Sequence, residues 1–289
     1  MRKLSKKILS LYAKKAIIGL ASVAMVATMS LSTINVSPVK GATTSSTLVW
    51  SDEFNGNSID ASKWGFEIGT GSNGWGNNEQ QYYTNRTDNA YVADGALHIR
   101  AKKEAYGGKN YTSARLNTNG KFTFTYGYVE ARLALPSSQG IWPAFWMLGA
   151  NYATDVWPKC GEIDIMEQLN HDGIVYQTIH SHYKNDLGFT KPVPTKTVSY
   201  NKGQFNIFGI EWTPEALTFK VNGATTLVYP NLHLADESVK KQWPFDTSFY
   251  LILNYALGGP GTWPGTITDS ELPAKMEIDW VKVSQPTGR

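Results

Sequence analysis

From about residue 43 to the end of the chain, apolar residues fall at every second position in short runs. Gly, Asn, Pro and Ser clusters separate the runs. Leu217-Thr218-Phe219-Lys220-Val221 is one such run: its three apolar side chains share a face, as on a half-buried strand. The pattern predicts strands over 96–101, 126–135, 141–148, 161–167, 205–212, 248–257 and 276–283. Asn222-Gly223, between the runs 217–221 and 225–229, predicts a two-residue hairpin. Only Ala235 to Trp243 has the spacing of a short helix. Many short strands joined by tight turns predict an all-β fold, a sandwich or barrel of antiparallel sheets, in one domain spanning 43–289.

The N-terminus follows other rules. Residues 1–15 carry six basic side chains and no acid, an apolar run covers 16–27, and Lys40-Gly41-Ala42 offers a small-residue cleavage site. This order is that of a secretory signal peptide over 1–42, too short in its apolar core for a membrane span of roughly 20 residues. A secreted, extracellular and bacterial protein is expected, with no membrane attachment after cleavage. Without that segment the charge reverses. The whole chain has 27 Lys and Arg against 24 Asp and Glu, but seven of the bases and none of the acids lie in 1–42. A net-acidic mature chain has no electrostatic motive for nucleic acid. The single Cys excludes an internal disulfide. Charged residues are 18% and aromatics 12%, with 10 Trp, a balance that suits a surface meeting sugar rings.

The stretch richest in chemistry is Gly161-Glu162-Ile163-Asp164-Ile165-Met166-Glu167. Glu162 and Asp164 share a strand face, but Glu167 is an odd five residues from Glu162 and would point into the core. A one-residue bulge at Ile165-Met166 restores the alternation and gathers all three acids on one face. Crowded carboxylates raise one another's pKa, which suits a general acid beside a nucleophile, as in a retaining glycosidase. Taken alone, the acids also suit a solvated strand face or a cation site. The tryptophans around them favour the sugar reading. Trp142 and Trp146 are four apart on the preceding strand, Trp157 is five before Glu162, and Trp75 and Trp263 sit in glycine-rich loops that could rim a cleft. Trp50, Trp64, Trp212, Trp243 and Trp280 are assigned to the core or elsewhere. His180 is expected as a hydrogen-bond partner in the cleft, against Glu167. Cys160 is expected as a small buried hydrophobe.

With these motifs in view, the chain resembles glycoside hydrolase family 16. The six residues Glu162 to Glu167, with the extra Met, are similar to those of the laminarinase (endo-β-1,3-glucanase) branch. Further similar stretches are Trp50-Ser51-Asp52-Glu53-Phe54, Trp75 to Tyr83, Tyr126 to Arg132, Trp142 to Met147, Ile210 to Glu215 and Met276 to Trp280. The resemblance implies a concanavalin-like β-jelly roll of two antiparallel sheets with a concave substrate cleft. It implies retaining hydrolysis, with Glu162 as nucleophile, Asp164 as its assistant and Glu167 as acid/base. It matches Trp142, Trp146 and Trp157 to sugar platforms, and Asn78, Arg115 and His180 to polar cleft positions. No cofactor is implied for catalysis. A structural Ca²⁺ is implied on the convex side, at Glu53, the carbonyl of Gly95 and Asp279. His180-Ser181-His182-Tyr183 departs from the commonest laminarinase pattern.

The expectation is a monomeric endo-β-1,3-glucanase acting on laminarin-type β-glucan. The alternatives are a mixed-linkage β-1,3-1,4-glucanase or galactan hydrolase on the same fold, and a non-catalytic glucan-binding lectin.

Overall fold

A computed structural model describes residues 46–236 and 240–287. The proposed signal peptide lies outside the described residues. Strands follow one another as β1 (Ser46–Asp52), β2 (Gly65–Phe66), β3 (Gln81–Tyr83), β4 (Ala90–Ala93), β5 (Ala96–Tyr106), β6 (Lys109–Ser113), β7 (Arg115–Asn117), β8 (Gly127–Ala134) and β9 (Ile141–Gly149). Then come β10 (Glu162–Gln168), β11 (Ile174–His180), the short helix α1 (His182–Asn185), β12 (Thr195–Ser199), β13 (Phe205–Trp212), β14 (Ala216–Val221), β15 (Ala224–Pro230), β16 (Phe249–Leu257) and β17 (Ala274–Pro286).

These form two sheets. One has ten strands along the path β15-β14-β13-β8-β17-β5-β6-β3, with β1 and β4 added to β17 and β5. The other has seven, in the order β12-β11-β10-β9-β16-β7-β2. Among the described residues every strand pairing is antiparallel except β3 with β6. This is the expected concanavalin-like jelly roll. The strand positions follow the alternation closely, and the hairpin turns at Asn222 and Gly223, both with positive φ, as a primed turn requires. The helix expected over 235–243 reduces to one 3₁₀ turn at Lys240–Gln242, with 237–239 outside the described residues.

The two inner faces interlock. Phe145, Met147, Ile163, Leu251 and Leu253 of the smaller sheet meet Leu97, Ile99, Val129, Leu133, Phe208 and Ile210 of the larger one in a single core. Each large side chain removed from water contributes about 1.5–3 kcal/mol. The other face of the smaller sheet then carries the residues left over by the alternation on β9, β10, β11 and β16, including the acids. Trp64 and Trp212 are core, as expected, and Cys160 is buried. Trp280 is half-buried, with the Lys282 ammonium over its ring.

Candidate active site

Gly161 opens β10 with φ +81, where a Cβ would meet Pro244, Phe245 and Phe249, so glycine is needed to start the strand here. The register against β9 and β11 slips by one residue between Asp164 and Glu167. Ile165 and Met166 both turn into the core with no exposure. Their joint burial supports the bulge and returns Glu167 to the face of Glu162 and Asp164.

Each glutamate is held by a tryptophan. Trp157 Nε1 donates to Glu162 Oε2 at 2.9 Å, and Trp142 Nε1 donates to Glu167 Oε1 at 3.0 Å. Trp157 reaches Glu162 from the exposed loop before β10, and Trp142 reaches Glu167 from the neighbouring strand. His180 corrects the sequence expectation: its Nε2 lies 3.3 Å from Asp164 Oδ2 and 3.8 Å from Glu162 Oε1, so its carboxylate neighbours are this pair and not Glu167. The reason is register. His180 pairs with Glu162 across β10 and β11, whereas Glu167 pairs with Tyr176.

The two glutamates have different environments. Burial, then repulsion from Asp164 and Glu162, holds Glu167 well above the usual carboxylate range, with the Trp142 N–H and the Lys184 charge opposing. Glu162 is also raised, by burial and by Asp164, to about 8, but His180 and the Trp157 N–H pull it back. Its side chain keeps 18% of its surface open to water, which tempers the shift. His180 and partial exposure thus favour the charged form at Glu162, and neither acts at Glu167, which pushes the pair toward one acid and one base. For His180, burial works against a charged ring, but Asp164 and Glu162 outweigh it and raise its pKa.

Beside the acids, a hydrogen-bonded chain runs below Trp146. Trp146 Nε1 donates to Asn254 Oδ1 at 2.7 Å, Asn254 Nδ2 donates to Tyr83 Oη at 3.1 Å, and Tyr83 donates to Glu79 Oε2 at 3.1 Å. Glu79 is buried and also accepts from Gln81 Nε2 at 2.6 Å. The Arg115 guanidinium lies 4.8 Å from the ring centres of both Trp146 and Trp75, and its Nε is 2.5 Å from Glu67 Oε2. Arg115 thus joins Trp75 to Trp146, as a weakly hydrated planar cation between aromatic faces does. Asn78 is exposed on a tight turn with φ 56; its neighbour Glu79 is the residue in the network. Near Glu167, Trp263 sits edge-on against Trp142 (5.1 Å) and Tyr176 (4.8 Å) while remaining half exposed.

Sequence reasoning did not find Asn254, Tyr83, Glu79, Lys184 or Asn185. Asn254 left a signal: it is the one strongly polar side chain in the otherwise apolar or aromatic β16, and a buried amide requires partners.

The calcium expectation meets competition. Glu53 Oε1 is 3.0 Å from Lys282 Nζ, and Asp279 is paired with the Arg132 guanidinium. β17 pairs Ile278 with Leu97 and Val281 with Asp52, so the segments of Gly95, Glu53 and Asp279 run close together. Their oxygens are of the type a hard cation takes, but as arranged both carboxylates are neutralised and form no cage. The residues do not fit the ion unless both pairs open.

Residues 77–282 match the family model Glycosyl hydrolases family 16. The chain belongs to this family. As a family 16 glycoside hydrolase it is 42% identical over 244 residues to a beta-glucanase of Rhodothermus marinus, covering 82% of this chain and 84% of that one. The solved laminarinase structure from Rhodothermus marinus superposes with TM-score 0.76 at 40% identity, over 84% of this chain and 99% of that one. A keratan-sulfate endo-1,4-beta-galactosidase of Sphingobacterium multivorum is 36% identical over 84% of this chain but only 56% of its own length.

Proposed function

We propose that the protein is a secreted endo-β-1,3-glucanase that hydrolyses laminarin-type glucans with retention, using Glu162 as nucleophile and Glu167 as acid/base. One observation carries the reading. Two glutamates on one face of β10 are each capped by a tryptophan N–H, with His180 set beside Glu162 and away from Glu167. The Glu162 carboxylate attacks the anomeric carbon while Glu167 protonates the departing oxygen. A glycosyl ester forms and the glycosidic bond breaks. Glu167, now a carboxylate, takes a proton from the water that opens the ester. Asp164, beside both, tunes the charge on Glu162. Trp146, Trp142 and Trp157 supply flat apolar surface for the sugar rings.

The similarity to a beta-glucanase and a laminarinase at 40% identity or more supports this substrate. The basic, apolar and small-residue order of 1–42 supports secretion. The test is product analysis on laminarin and on mixed-linkage glucan in parallel, with the anomer followed by proton NMR. Short β-1,3 oligomers released first as the β-anomer are expected. Release of the α-anomer would overturn retention, and cleavage of galactan alone would move the substrate toward that of the keratan-sulfate relative. Binding without cleavage would favour a lectin.

Azide separates the two roles. With an activated β-glucoside, Glu162→Ala plus azide is expected to give the α-glycosyl azide, and Glu167→Ala plus azide the β-glycosyl azide. The opposite pairing would exchange the assignments.

A further inference from the structure

His180 ends β11, and the chain turns directly into α1. Nε2 of the ring faces the acids. Nδ1 faces two groups of α1, Asn185 Nδ2 at 3.0 Å and Lys184 Nζ at 3.3 Å. The Asn185 amide has a fixed orientation. Its Oδ1 accepts the backbone N–H of Ser181 at 3.2 Å, so its nitrogen is the end turned toward the ring. Ser181 in turn caps α1 by accepting from Lys184 N, which holds both side chains beside His180.

A neutral imidazole has one donor nitrogen and one acceptor. Beside an amide NH₂ and an ammonium, Nδ1 has to accept, so the ring proton belongs on Nε2. There it faces Asp164 Oδ2 at 3.3 Å, a buried oxygen with no hydrogen-bond partner among the described residues. The opposite tautomer would set a lone pair against two carboxylates and leave a ring N–H facing two donors.

We propose that Asn185 and Lys184 are positioning residues that fix His180 as its Nε2–H tautomer, so that the ring is a standing donor to the Asp164–Glu162 pair. This rests on the catalytic reading above. A donor held at this place favours negative charge where the nucleophile must be ionised, and it needs no reorganisation when substrate arrives. It also bears on metals. Glu162, Asp164 and His180 offer donor atoms within 4.8 Å of one another, but a protonated Nε2 has no lone pair for a cation.

The test reads the tautomer directly. In ¹⁵N-labelled protein, long-range ¹H–¹⁵N correlation assigns the ring proton of His180 on the alkaline side of its titration, with His180→Gln identifying the signal. Nε2–H is expected. Asn185→Asp keeps the oxygen that accepts from Ser181 but replaces the donor facing Nδ1 by an acceptor. The variant is expected to move the ring proton to Nδ1, or to protonate both nitrogens. Its kcat on laminarin is expected to fall about tenfold or more, the scale on which partners that orient a functional histidine act, with KM changing much less. A wild-type ring protonated on Nδ1 alone would overturn the proposal, as would Asn185→Asp with an inverted ring and unchanged kcat. If Asn185→Asp does not fold, the wild-type spectrum and Lys184→Met carry the test: Nε2–H with reduced kcat in Lys184→Met supports it, and unchanged kcat overturns the part of Lys184. A wild type that cleaves no glucan would sink the catalytic reading while the NMR result still decides the tautomer.

Discussion

The indole N–H of Trp142 donates to Oε1 of Glu167 at 3.0 Å, so one side chain of the proposed sugar platform also adjusts the proposed acid/base. The bond favours the charged carboxylate and works against the burial that raises Glu167. Trp142→Phe keeps an aromatic face and removes the donor. The Glu167 pKa then rises further. The alkaline limb of kcat/KM, which marks loss of the acid's proton, is expected to move to higher pH. A pH–rate profile on laminarin checks this; a limb moving to lower pH would contradict it.

Crowding the acids costs stability, with a definite pH signature. Both glutamates have folded-state pKa values above their ordinary ones, Glu162 at about 8 against 4.5. In that window the folded chain binds more protons than the unfolded one, so stability falls as pH rises from the ordinary carboxylate range through the folded pKa. Glu167→Gln and Glu162→Gln remove the penalty. Each is expected to raise the melting temperature by about 2 °C or more at alkaline pH, with little gain near pH 4. Thermal denaturation at the two pH values measures the difference.

Asn254 bridges the cleft to the buried Glu79 network. Asn254→Leu fills about the same volume but orphans Trp146 Nε1 and removes the N–H that Tyr83 Oη accepts, while Tyr83 keeps its bond to Glu79. An unsatisfied buried polar group costs about 1–3 kcal/mol, which chemical denaturation would register. Trp146, freed from its bond, is expected to hold sugar less firmly, so KM rises more than kcat falls.

Met166 supports the bulge from below. Met166→Ala leaves a cavity under the acids and is expected to cost about 2–5 kcal/mol. The cavity also loosens the position of Glu167, so activity is expected to fall even where the variant is fully folded. Urea unfolding and kcat on the same preparation check both parts.

Calcium has its own readout. Added Ca²⁺ has to open the Lys282–Glu53 and Arg132–Asp279 pairs before it can bind. A melting temperature that rises with Ca²⁺ and returns with EDTA would show that it does; with the pairs intact no change is expected.

The alternation of apolar residues determined most of the longer strands, because a strand with one buried face cannot hide its period of two. It set β13 to the residue and β9 and β10 to within a residue at either end, while β16, buried at every position, was legible as an apolar run. The same arithmetic located the bulge, since Glu167 could not be buried unpaired. What the sequence could not determine was who meets whom across strands. His180 lies opposite Glu162 and away from Glu167 because of the β10–β11 register, which no local pattern encodes. The partner of Asn254 and the Arg115 bridge between two tryptophans depend on side chains far apart in the chain. Burial made those polar groups find partners, and only the packed sheets decided which ones.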